Sequence, residues 1–176
     1  MTMSRIDYDL TKIKAIVFDV DGVLSPSTVP MDNNGMPMRM VNIKDGYALQ
    51  LAVKYGFKIA IITGGKEEAI RMRYNALGIT DVYLSAGKKL PILQEWMQIN
   101  GLTPEEVAYM GDDIPDLQCL RYVGLSCSPH DAVWEVKETV RYISPMTGGY
   151  GCGRDLIQQV MAARGEWLAD DKAFGW

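Results

Sequence analysis

The sequence predicts an α/β fold of Rossmann-like type: a parallel sheet flanked by helices, with a protruding β-hairpin and no cap domain. Three observations predict it. Short, almost continuously apolar runs alternate with amphipathic stretches of helical period, the pattern of strands buried on both faces and joined by right-handed crossovers. Two of those runs end in acidic pairs, and ligand sites in open sheets lie at the carboxyl ends of strands. The one stretch that breaks the alternation, about 25–43, is centred on Asn34-Gly35.

In chain order, Ile13 to Phe18 reads as the first buried strand, and Asp45 to Tyr55 as a helix carrying Leu49, Leu51 and Val53. Phe57 to Ile62 is the second strand. Lys66 to Leu77 has Ala69, Ile70, Arg73 and Leu77 at helical spacing. Val82 to Leu84 is a weak strand. Lys89 to Asn100 is a helix with Leu90, Leu93, Trp96 and Met97 on one side. Thr103-Pro104-Glu105-Glu106 has the spacing of a capping box with proline at the first helical position, so a short turn starts there. Val107 to Met110 and Gly124 to Cys127 complete the strands.

Between Ser25 and Ile43 two short strands are expected around Asp32-Asn33-Asn34-Gly35, because Asn-Gly supplies the two positive-φ residues of a type I′ turn. Met36, Met38 and Met40 alternate with Pro37, Arg39 and Val41, which makes one hairpin face methionine-rich. That face either meets a partner or folds back on its own core. The tail, about 166–176, is weakly patterned and expected to be mobile.

Length and composition fit one soluble globular domain, 1–176, with 48% apolar and 23% charged residues. A net charge of −4 with both signs interspersed gives no basic stripe for nucleic acid and no polybasic face for a membrane. No apolar run approaches the roughly 20 residues of a membrane-spanning helix. The N-terminus, Met1 to Asp7, has an early acid and no apolar core, so it does not read as a leader. Cys119, Cys127 and Cys152 are odd in number and form no CxxC pair, which suits free thiols in a reducing cytoplasm.

Four constellations carry chemistry. Asp19 and Asp21 leave the first strand two residues apart, so both emerge toward one side. Two carboxylates there repel unless a cation or shared proton compensates, and oxygen-only ligands favour Mg²⁺. Aspartates in such a place also cap turns. Thr63-Gly64-Gly65 ends the second strand, with a hydroxyl and glycine N–H groups that suit a phosphate oxygen before a helix N-terminus. Lys88-Lys89 precedes a helix; one ammonium could balance the aspartates, although a lysine pair is usually solvated surface. Gly111-Asp112-Asp113-Ile114-Pro115-Asp116 again places acids after a buried strand. Asp112 and Asp113 suit a Mg²⁺ site from the opposite side, while Asp113 or Asp116 could be helix N-caps.

The order of these motifs resembles that of the haloacid dehalogenase (HAD) superfamily of phosphohydrolases over essentially the whole chain. The resemblance is closer to the 3-deoxy-D-manno-octulosonate (KDO) 8-phosphate phosphatases. It is carried by Val41-Asn42-Ile43-Lys44-Asp45-Gly46-Tyr47, Val107 to Asp113, and Gly148-Gly149-Tyr150-Gly151 followed by Arg154.

The resemblance implies a cytoplasmic Mg²⁺-dependent phosphatase for a sugar acid phosphate, acting in lipopolysaccharide biosynthesis. Asp19 would attack phosphorus and Asp21 would serve as acid and then base. Asp19, the Asp21 backbone carbonyl and Asp112 would hold the metal, with Asp113 on a metal-bound water. Thr63 and Lys89 would steady the phosphoryl group, and Gly64, Lys44, Arg73 and Arg154 are the candidate substrate contacts. Two positions depart from the family pattern: Gly65 replaces a bulky polar residue, and Lys88 an acidic one. Lys89 is the motif lysine, with Lys88 left open.

Roughly 40 residues separate Asp21 from Thr63, too few for a cap of typical domain size beside the hairpin and helix. The family closes its open site as a homotetramer, using the hairpin and glycine-rich C-terminal segment of neighbours. A phosphatase for another nonulosonate 9-phosphate is the nearest alternative. A phospho-accepting receiver domain would place its lysine last, whereas here Asp112-Asp113 follows Lys89. His130, in Ser128-Pro129-His130-Asp131, reads as a turn residue rather than a base.

Overall fold

A computed structural model describes residues 5–176. Residues 1–4 of the N-terminal stretch, on which the expectation of no leader bears, therefore lie outside the described residues. Six strands form one sheet: β1 (Ala15–Phe18), β2 (Lys58–Ile62), β3 (Asp81–Tyr83), β4 (Val107–Met110), β5 (Leu125–Ser128) and β6 (Tyr142–Ile143). Their order is β3-β2-β1-β4-β5-β6, and every neighbouring pair is parallel.

Six helices join and cover the strands: α1 (Ile43–Lys54), α2 (Glu68–Asn75), α3 (Lys89–Ile99), α4 (Leu117–Tyr122), α5 (Trp134–Lys137) and α6 (Cys152–Ala163). The alternation of strand side chains sorts the core into two layers. Ile16, Phe18, Ile59, Ile61, Ala108 and Met110 face the layer built by α1, α2 and α6. Ala15, Val17, Ala60, Ile62, Val107 and Tyr109 face the layer built by α3, α4 and α5. This is why the strands read as unbroken apolar runs rather than alternating ones. The chain moves from β1 outward through β2 to β3, then returns across the sheet to β4. The switch point, where the site belongs in such sheets, is therefore the crevice between β1 and β4.

The Asn-Gly segment differs from expectation in its turn. Gly35 alone has positive φ (77°); Asn34 does not. The Gly35 amide donates to the Asp32 carbonyl at 3.0 Å, and the Asp32 carboxylate accepts from the Asn34 and Met36 amides. This is a type I turn followed by a left-handed glycine, the three-residue hairpin alternative to type I′. The two expected strands shrink to one antiparallel bridge, Met31 with Pro37. Pro30 and Pro37 lack the N–H groups a longer ladder would need. Met36, Met38 and Met40 are all exposed, so the methionine face does not fold back onto this chain's core.

Two elements exceed the sequence reading. Strand β6 and helix α6 were not anticipated, and α6 buries Leu156, Ile157, Val160 and Met161 against α1. The tail lies along α1: Tyr47 Oη donates to the Ala173 carbonyl, Tyr55 Oη to Asp170 at 2.6 Å, and Ala173 is buried. The capping box Thr103/Glu106 is present around a single turn of 3₁₀ helix. The three cysteines are free and buried.

Candidate active site

The register of β1 with β2 and β4 pairs Phe18 with both Ile61 and Met110, which delivers Asp19, Thr63 and Asp112 to one edge of the sheet. There they border a cleft of about 420 Å³, together with Gly64, Lys89 and Asp113. Asp19 is buried; its Oδ1 accepts from the Val20 amide at 2.7 Å, and its Oδ2 lies 2.7 Å from Lys89 Nζ.

Lys89 is the first residue of α3 and only 4% exposed, whereas Lys88 is exposed. Of the two lysines left open by the sequence, Lys89 is the one placed at the acid cluster. A cation at a helix N-terminus opposes the macrodipole, and here two carboxylates offset that: Asp19, and Asp116 Oδ1 at 2.8 Å. Burial alone would lower the Lys89 pKa, but the two carboxylates raise it above its ordinary value, so the ammonium is secure.

The sequence alone marks Asp116 only as a possible helix cap. It is fully buried and links the site's parts: Oδ1 accepts from Lys89 and from the Tyr109 hydroxyl at 2.7 Å, and Oδ2 from the Asp112 amide at 3.1 Å. Gly111 makes room for it, since a Cβ there would stand 2.4 Å from Asp116 Cγ. The i, i+4 spacing of Asp112 and Asp116, across Ile114-Pro115, is the signal that could have found it. Asp113 caps the short 3₁₀ turn, its Oδ1 accepting from the Ile114 amide at 2.7 Å.

The acids outnumber the cations. Carboxylate oxygens of Asp19, Asp112 and Asp116 lie within 4.8 Å of one another. Burial, then the neighbouring Asp116, pushes Asp19 up to about 7 despite Lys89. Burial, then Asp19 and Asp116, pushes Asp112 up to about 8. The Asp112 carboxylate accepts no hydrogen bond among the described residues. It sits over Gly22, whose φ is +80° and where a Cβ would fall 1.9 Å from Asp112 Oδ2. A half-buried, unpartnered carboxylate among other acids fits a hard divalent cation such as Mg²⁺.

Asp21 is placed differently. It borders the cleft, but its carboxylate lies outside the acid cluster and is gripped by Arg39, Nε to Oδ1 at 2.6 Å and Nη2 to Oδ2 at 2.9 Å. Arg39 was not among the expected site residues. Thr63 is buried, and its Oγ1 accepts from the Gly65 amide at 3.1 Å. Ser85, in the loop leading to Lys89, holds a left-handed φ of 55°.

Of the four expected substrate contacts only Gly64 borders this cleft. Lys44 and Arg154 line a larger groove between the start of α1 and the 149–151 loop. The Arg154 guanidinium is held there between the rings of Tyr47 and Trp167, at 5.6 and 5.3 Å from their centroids. Arg73 lies behind the hairpin, against Gly46 of α1. Within one chain the structure therefore does not bring Lys44, Arg73 or Arg154 to the cleft of Asp19: they border other hollows of the surface. His130 is exposed in the turn after β5 and does not border this cleft.

This fold, with a buried Asp-Lys-Asp cluster at the β1/β4 switch point, defines the class: a HAD-type phosphatase. No protein-family model matches the chain. Relatives named 3-deoxy-D-manno-octulosonate 8-phosphate phosphatase KdsC do. That of Escherichia coli K12 is 34% identical over 154 residues, covering 88% of this chain and 82% of the relative. Solved structures agree. The Yersinia pestis phosphatase of the same name superposes with a TM-score of 0.86 at 32% identity, over 90% of this chain and 85% of that one. The Moraxella catarrhalis enzyme, solved in complex with magnesium, phosphate and KDO, gives a TM-score of 0.85 at 29% identity, over 90% and 91%. The chain belongs to the KDO 8-phosphate phosphatase family within the HAD superfamily.

Proposed function

We propose that this chain is a Mg²⁺-dependent phosphomonoesterase that hydrolyses KDO 8-phosphate to KDO and phosphate through an aspartyl-phosphate on Asp19. The observation that carries it is the cluster Asp19–Lys89–Asp116 beside the unpartnered Asp112 carboxylate, in a chain of this family.

Asp19 Oδ2 attacks phosphorus while Asp21 gives a proton to the departing sugar oxygen. Lys89 and Thr63 hold the transferring phosphoryl group, where positioning and charge do most of the work. Asp21, now a carboxylate, takes a proton from the water that attacks the aspartyl-phosphate, which releases phosphate and restores Asp19. Asp19, the Asp21 backbone carbonyl and Asp112 would hold the cation, with Asp113 at its rim. When bound, Mg²⁺ supplies the charge that offsets the crowded acids and the phosphoryl oxygens.

Residues 1–176 then work as one capless catalytic domain in the cytoplasm. Among the described residues no helix is long and apolar enough to cross a membrane. The open cleft is completed by assembly as a homotetramer. Exposed Met31, Met36, Met38 and Met40 on the hairpin, with Val41 and Ile43 beside the Lys44/Arg154 groove, support this reading. Lys44 and Arg154 would then serve at subunit contacts rather than at their own chain's Asp19.

The test is phosphate release from a panel of sugar phosphates with and without Mg²⁺. KDO 8-phosphate should lead, and a sialic-acid-like 9-phosphate should trail it by at least about tenfold in kcat/KM. A reversed order would overturn the substrate, and full activity after exhaustive chelation would overturn the metal.

A further inference from the structure

We propose that Arg39 is a positioning residue for the reaction: it reaches from the hairpin to fix the Asp21 carboxylate for proton transfer, and Gly65 is the space that lets it do so. The proposal rests on the reading of Asp21 as the acid–base group.

Arg39 is the inward member of an alternating run. Met38 and Met40 on either side are exposed, while the Arg39 side chain is only 12% exposed. Each nitrogen of its guanidinium meets one of two acids. Nε and Nη2 meet the two oxygens of Asp21 at 2.6 and 2.9 Å, and Nη1 meets Glu67 Oε2 at 2.5 Å. The two-pronged contact sets the plane of the Asp21 carboxylate as well as its position, which a lysine could not do. Glu67, just ahead of α2, anchors the far side of the guanidinium to the body of the domain.

The path of Arg39 crosses Gly65. A Cβ there would stand 2.9 Å from Arg39 Nη2 and 3.2 Å from Arg39 Cζ, and 2.6 Å from Ile70 Cδ1. Any side chain at position 65 therefore competes with the guanidinium for the same space. The expected bulky polar residue is absent at that position, and the hairpin arginine occupies the place its first atoms would need.

The consequence is mechanical. In dephosphorylation, a water oxygen bonds to phosphorus as its proton passes to Asp21 and the bond from phosphorus to Asp19 oxygen breaks. A misplacement of the acceptor carboxylate by an ångström costs orders of magnitude in such a transfer. Arg39 supplies that placement from the one segment that also carries the exposed methionines, so whatever fixes the hairpin also fixes Asp21.

The experiment uses the full-length chain with saturating Mg²⁺, and reads kcat and KM on KDO 8-phosphate and on p-nitrophenyl phosphate, whose leaving group needs no proton. Arg39→Ala should lower kcat on the sugar ester at least about tenfold with KM within about twofold. On the aryl ester it should show a burst of nitrophenol equal to the enzyme, followed by slow turnover. Arg39→Lys should fall between, and added guanidinium ion should restore part of the Arg39→Ala rate. Gly65→Ala should lower kcat in the parent but by less than about twofold more when added to Arg39→Ala. A kcat within twofold of the parent, a defect confined to KM, or costs that multiply in the double variant would overturn the proposal. Asp21→Asn separates the two readings. If it retains turnover of the sugar ester, the acid–base reading itself fails; if it is inactive while Arg39→Ala is normal, only the clamp fails.

Discussion

Lys89 and Asp116 form a buried ion pair at 2.8 Å behind the nucleophile, and both oxygens of Asp116 are satisfied inside the protein, by Lys89 and Tyr109 on one and the Asp112 amide on the other. Its role is to hold Lys89 toward Asp19. Asp116→Ala leaves the ammonium buried with one partner and orphans the Tyr109 hydroxyl. Breaking such a pair costs about 3–5 kcal/mol. We expect a clear fall in unfolding midpoint by calorimetry and at least about a tenfold loss of kcat. An unchanged midpoint would show that the pair is not structural.

Asp19→Asn should remove turnover while leaving the fold intact. The amide keeps the shape and the Val20 contact but cannot form the aspartyl ester of phosphate. Phosphate release near the parent rate from a variant with native circular dichroism would refute the nucleophile.

The crowded acids make a pH prediction. Asp19, at about 7, and Asp112, at about 8, both stand above their ordinary value of 3.8. A carboxyl raised on folding holds its proton better in the folded chain. Its contribution to stability is therefore complete below about pH 4 and is lost as pH rises through 7 and 8. Metal-free protein should lose melting temperature between pH 5 and 8.5, and the gain from added Mg²⁺ should grow over the same range. Asp112→Asn should flatten both trends. A Mg²⁺ effect independent of pH, followed by thermal shift, would contradict the assignment.

Gly22→Ala tests the shape of the metal side. The position has φ +80° and would drive a methyl into Asp112 Oδ2. Mg²⁺ affinity, read from the activation curve, should weaken at least about tenfold. Unchanged affinity would mean that Asp112 can move freely without loss.

Much of this site could be read before folding, because its chemistry sits where the hydrophobic pattern changes. Val107 to Met110 ends at Gly111-Asp112, and Ile13 to Phe18 ends at Asp19, so strand ends and acids are marked together. The features that were not legible depend on distance across the chain. Arg39 reaches Asp21 and Glu67 over 18 and 28 residues, and nothing local marks it as different from Met38 or Met40 except its charge. Asp116 looks like an N-cap until Lys89, 27 residues away, is seen against it. Helix α6 has apolar residues at helical spacing, but its glycine-rich entry, with Gly151 at φ 112°, hides the start. The hairpin turn is not legible because Asn-Gly fits two turn types, and only the φ of Asn34 separates them.

The most direct test of the central claim is a rapid-quench experiment with radiolabelled KDO 8-phosphate and Mg²⁺. The account predicts an acid-stable, hydroxylamine-labile label on the peptide containing Asp19. It should appear and decay at rates that support kcat, and be absent without Mg²⁺ and in Asp19→Asn. Phosphate release at full rate with no such label, or with the label on another residue, would contradict it.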